Sequence, residues 1–92
     1  MSSPPDPFNL SEEDKIIIVL ARVLYLKNVI HRNERPNADP LHTGTPVFRN
    51  TARTAISLLG YGDGVLEDLL AESALLYDAA LKNHESTHNT AA

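Results

Sequence analysis

Cysteine is absent from this chain of 92 residues, so no disulfide can brace it, and the absence fits a reducing compartment. Also missing is an apolar run long enough for a bilayer. The longest, Ile16 to Leu26, is about half the ~20 residues a helical span needs, and Arg22 interrupts it. No basic stretch leads into an apolar segment at the start, so we read no signal peptide and expect a cytoplasmic protein. A glycine-rich phosphate loop is lacking too. Gly60, Gly62 and Gly64 lie close together, but at a turn with Asp63 among them rather than after a strand. No serine or threonine has a histidine and an acid at a spacing that suggests a triad. We therefore expect no enzyme, no cofactor and no metal.

What remains is small and unevenly charged. Residues 1–10, with three prolines and two serines, read as a flexible tail, and residues 84–92 as a frayed polar one. A single helical domain is expected over 11–83, near the size where one core becomes marginal and oligomerisation is a common remedy. The net charge of −4 is distributed in blocks. Up to Lys15 there are four acids against one lysine. From Arg22 to Arg53 there are six basic residues against two acids, and from Asp63 to Glu85 six acids against one lysine. A basic middle and an acidic end suit each other as packing partners.

Three helices can be read, at about 11–33, 46–59 and 63–82. The first opens with Ser11 at the N-cap and Glu12, Glu13 and Asp14 in the first turn, where they face loose N–H groups and the helix dipole. Ile16 to Val19 is β-branched and would suit a strand locally, but the capped apolar segment is long, which favours a helix. Apolar residues surround its axis, so it must be covered on more than one side. Residues 34–45, with two prolines and a glycine, form a long connection of the kind that is often functional. The second helix takes Thr45 as N-cap and Pro46 as its first residue. Phe48, Ala52, Ala55, Ile56 and Leu59 form its apolar stripe, and Gly60 ends it. Asp63 is expected to cap the third helix, which would pair with the second across a short turn while the first packs against both. The fold class is thus all-α, a three-helix hairpin bundle, with a homodimer covering the remaining face of the first helix.

Three strings could carry chemistry. His84-Glu85-Ser86-Thr87-His88 resembles H-E-x-x-H, the zinc signature of the zincin metalloproteases, which places two histidines one helical turn apart with a glutamate to activate water. That motif belongs in a buried helix with a third ligand elsewhere, whereas its flanks here are polar and four residues follow; we read it as part of a polar tail. The Gly60–Gly64 turn has the spacing of a helix-turn-helix. Asp63, Glu67, Asp68 and Glu72 on the would-be recognition helix would repel phosphates, so no DNA partner is expected. The third is basic. Arg32, Arg35 and His42 precede the second helix, and Arg49 and Arg53 lie one turn apart on it, a set that could hold an anion or nucleotide.

By elimination, the expected function is that of a regulatory interaction module, an inhibitor or adaptor of a larger protein. Excess apolar helix surface is its material, with Leu75, Ile17 and Tyr25 as candidate contacts. The alternative is an oligomeric binder of a small anionic ligand through Arg32, Arg35, His42, Arg49 and Arg53. Expected partners are a second copy and an unidentified protein, with no membrane.

Overall fold

A computed structural model describes residues 10–88, which form three helices: α1 (Glu12–His31), α2 (Pro46–Leu59) and α3 (Val65–His88). Local chemistry sets most of their ends. The Ser11 hydroxyl accepts a hydrogen bond from the Asp14 amide at 3.1 Å, the expected cap of α1. At the other end Asn33 takes φ 55°, with Asn33 N–H donating to the Ile30 carbonyl and Glu34 N–H to the Val29 carbonyl. That pair of bonds is a Schellman closure, with asparagine in the place glycine usually holds. Thr45 occupies the N-cap of α2 without a side-chain bond, and Pro46 begins the helix.

The first helix packs against both others, as the sequence suggests, but the expected pairing of the second and third does not form. α1 lies in the middle and both neighbours pack on it, whereas α2 and α3 do not pack against each other. The core unites Ile16, Ile17 and Ala21 of α1 with Ala52 and Ile56 of α2, and Phe48 meets Tyr25 further along, so α2 runs antiparallel to α1. Val65, Leu66 and Leu69 at the start of α3 pack on that same core. At the far end Asn83 donates to Asn33 Oδ1 at 2.6 Å and to the Ile30 carbonyl at 3.5 Å. α3 therefore runs parallel to α1, and the expected α2–α3 hairpin is corrected to a three-helix bundle in which both neighbours pack on α1. The turn makes this possible: Gly60 (φ 70°, ψ −165°) adopts a backbone region reserved for glycine and sends the chain away from α2.

This arrangement changes the ends of α2 and α3. Leu59 continues the apolar stripe of α2 by spacing but is 85 % exposed, at the end of the helix where the core no longer reaches. Asp63 does not begin α3, which starts at Val65 after Gly64 in a positive-φ conformation (82°). The helix also runs past Lys82 to His88, so the first residues of the expected polar tail are helical. The expected tail at 1–10 lies outside the described residues except for Leu10.

α1 is buried on nearly every side, as its composition requires, with Ile16, Leu26 and Val29 fully enclosed. The connection between α1 and α2 covers part of the surface of α1 that the other two helices leave open. Pro36 and Thr43 of that segment are buried, and Arg22 of α1 is buried beneath it. Two short side-chain turns shape the segment: Asn37 Oδ1 accepts from Asp39 N–H at 2.8 Å, and Asp39 Oδ1 from Leu41 N–H at 3.0 Å.

Candidate functional site

Arg22 is the least expected residue in the interior, a cation only 3 % exposed in the middle of α1. Its Nη2 donates to the Asn37 carbonyl at 2.8 Å and its Nη1 to the His42 carbonyl at 3.1 Å, which ties both limbs of the connecting segment to the helix. Tyr25 and Tyr77 flank the guanidinium, with their ring centroids 5.5 and 5.6 Å away. The Tyr25 hydroxyl in turn accepts from Asn37 N–H at 2.9 Å. No carboxylate pairs with Arg22 among the described residues. Burial lowers its pKa from the usual arginine value, and Tyr25, Tyr77 and Asp39 act in the opposite direction.

Beside the guanidinium, between α3 and the connecting segment, lies a cavity of about 310 Å³. Arg22 forms one wall, and Ala38, Pro40, Leu70, Ser73, Ala74 and Tyr77 form the rest. The Ser73 hydroxyl is spent on its own helix, donating to the Leu70 carbonyl at 3.3 Å. Adjoining this cavity at Leu70 is an apolar groove of about 340 Å³ between the first half of α1 and the start of α3. Leu10, Ile18, Val19, Leu41, Leu66 and Leu70 line it, with Lys15 alongside. The groove is where the apolar circumference of α1 remains uncovered, and three of its leucines (Leu10, Leu41 and Leu70) stand exposed at its edges.

The residues singled out from sequence do not form one surface. Ile17 is 4 % exposed and belongs to the core, so it is not available to a partner. Tyr25 is half-buried and engaged with Asn37, His42 and Phe48. Leu75 is 68 % exposed, but it sits on α3 about half a turn around from Leu66 and Leu70, among Asp68, Glu72 and Asp78. It is a lone leucine on a charged face, not an extension of the groove.

The basic set is dispersed as well. Arg32 pairs with Glu34 at 3.5 Å on the surface, and Arg35 is exposed in the connecting segment. His42 lies edge-on to Tyr25 with ring centroids 4.9 Å apart. Arg49 Nε donates to Thr43 Oγ1 at 3.1 Å and Arg53 Nη1 to Asn50 Oδ1 at 3.4 Å. Arg49 and Arg53 share a face of α2, Arg49 also lies beside Thr43 next to His42, and α2 and α3 do not pack on each other. The H-E-x-x-H string is helical, and His84 Nδ1 lies 3.5 Å from the Asn33 carbonyl. No group of three or more metal-ligating side chains occurs among the described residues.

Arg22, Asn37 and Tyr77 meet only in the folded chain, and their spacing in the sequence does not mark them as a unit. The available signal was the single charge inside the run Ile16 to Leu26, which marks either an interruption or a buried cation with a purpose. No protein-family profile, curated protein or solved structure matches this chain. No helix among the described residues is long and apolar enough to cross a membrane.

Proposed function

We propose that this chain is a non-enzymatic interaction module that takes an apolar helix stripe of a larger protein partner into the groove between α1 and α3. The observation that carries the reading is the groove itself, a concave apolar surface between helices, edged by Leu10, Leu41 and Leu70. Helix recognition commonly uses such a surface, with anchors one turn apart entering successive positions of the groove. Lys15 beside it favours an acidic residue at the margin of the partner stripe. The connecting segment supports one wall, since Leu41 belongs to the stretch that Arg22 holds in place. Leu75 and Ile17 play no part in this version of the interface.

The test is affinity capture with the purified protein, followed by titration of whichever protein is retained. Wild type is compared with Leu10→Glu/Leu41→Glu and with Arg49→Ala/Arg53→Ala. Light scattering on each sample reports self-association, so that a second copy in the groove is distinguished from a different protein. A partner lost from the groove variant and kept by the arginine variant supports the reading. The reverse pattern moves the function to the exposed face of α2, and equal retention by both variants overturns the groove as the contact.

A further inference from the structure

The cavity beside Arg22 has a composition that a merely structural arginine does not need. Holding the connecting segment draws on two N–H groups of the guanidinium, which leaves donors on the same planar group uncommitted. The acceptors used are neutral carbonyls, and among the described residues no carboxylate lies within ion-pair distance. A buried cation is ordinarily paired, because leaving water without a counter-charge is costly. The remaining walls are mostly apolar: Ala38, Pro40, Leu70, Ala74 and the Tyr77 ring. A mainly apolar cavity of about 310 Å³ with one convergent charged group falls at the small end of ligand sites.

We propose that this cavity binds a small monocarboxylate with an apolar body, its carboxylate on Arg22 and its hydrocarbon against Leu70, Ala74 and Tyr77. A planar carboxylate matches the guanidinium edge and supplies the close ion pair that Arg22 lacks, since Asp39 acts on it only from beyond ion-pair distance. A phosphate dianion fits less well. There is one cation to meet it, Asp39 lies near enough to act on Arg22, and the walls offer little else that is polar. The apolar body follows from the same walls, since a bare anion would leave them unfilled. This site is independent of the partner groove, with which it shares Leu70 as a boundary.

Titration calorimetry and amide NMR with hexanoate, hexanamide and inorganic phosphate provide the test. Hexanoate is expected to bind saturably, with shifts at Ala38, Ser73 and Tyr77, and hexanamide about tenfold more weakly or worse for want of the charge. Arg22→Met removes the cation, and Ala74→Phe fills the space from an exposed position while leaving Arg22 intact. Both substitutions should weaken hexanoate binding about tenfold or more, and Arg49→Ala/Arg53→Ala should leave it unchanged. If Arg22→Met fails to fold, Ala74→Phe decides alone. Absence of saturable binding, equal affinity for the amide, tighter binding of phosphate, or unchanged affinity in Ala74→Phe would each overturn the assignment.

Discussion

Replacing Arg22 by alanine tests how the connecting segment is held. Two hydrogen bonds from a charged donor are lost, at 2.8 and 3.1 Å, and the Asn37 and His42 carbonyls lose their arginine partner. Bonds of this kind contribute about 1.5–3 kcal/mol each, and the two tyrosine contacts add about 0.5–1 kcal/mol apiece. Against that, the substitution relieves the desolvation of a cation that is almost wholly buried, which offsets several kcal/mol. The balance is a loss of about 2–4 kcal/mol, larger than most surface changes produce. For a domain of this length, ~4–8 °C per kcal/mol makes the expected fall in Tm about 8–32 °C. Methionine at the same position retains the packing volume and no charge, so it should fall only about half as far. Thermal denaturation followed by circular dichroism reads the global effect. Hydrogen exchange reads the local one at the amides of Asn37, Leu41 and His42, all of which are hydrogen-bonded in the segment. An Arg22→Ala protein that melts within about 2 °C of wild type, with unchanged exchange at those amides, would refute the idea that this arginine latches the segment.

Other substitutions probe the packing directly. Gly44→Ala places a Cβ 2.7 Å from the Tyr25 ring at a backbone φ of 72°, and a loss of about 2–4 kcal/mol is expected in chemical denaturation. Ile16→Ala, at a fully enclosed position, should cost about 2–5 kcal/mol by the same assay. Leu59→Ser should change stability by no more than about 0.5 kcal/mol, whereas a core residue at that point of the α2 stripe would cost several. Asn83→Ala breaks the bond to Asn33 that fastens α3 to the end of α1, and a cost of about 1 kcal/mol, with faster exchange in the last turns of α3, is expected.

Much of the local structure was legible because it depends on neighbours in the chain. Ser11 with its three acids announces the start of α1, Pro46 the start of α2, and Gly60 the end of α2, since each acts on backbone groups within one turn. The all-helical class follows from the length and period of the apolar segments, and the burial of α1 on nearly every side follows from apolar residues around its whole circumference. What a periodic pattern cannot supply is the identity of the covering element. Leu59 and Ile56 have equal claims to the stripe of α2, and only the packing of Ile56 against Ile16, Ile17 and Ala21 separates the buried one from the exposed one.

The same limit applies to the candidate sites. Arg22 was visible as a charge in an apolar run, but its meaning depends on carbonyls 15 and 20 residues away and on Tyr77 from a third helix. Residues 34–45 close over α1 through Arg22 reaching two backbone oxygens, together with Tyr25, Arg49 and the burial of Pro36 and Thr43, contacts with no periodicity to betray them. The groove is likewise the space left when α3 runs parallel to α1 and the connecting segment stops short of Ile18 and Val19. From sequence alone this is a capped, all-helical chain with an apolar first helix. Tertiary structure decided which element covers that helix, because burial is a competition among surfaces that only meet once the chain has folded.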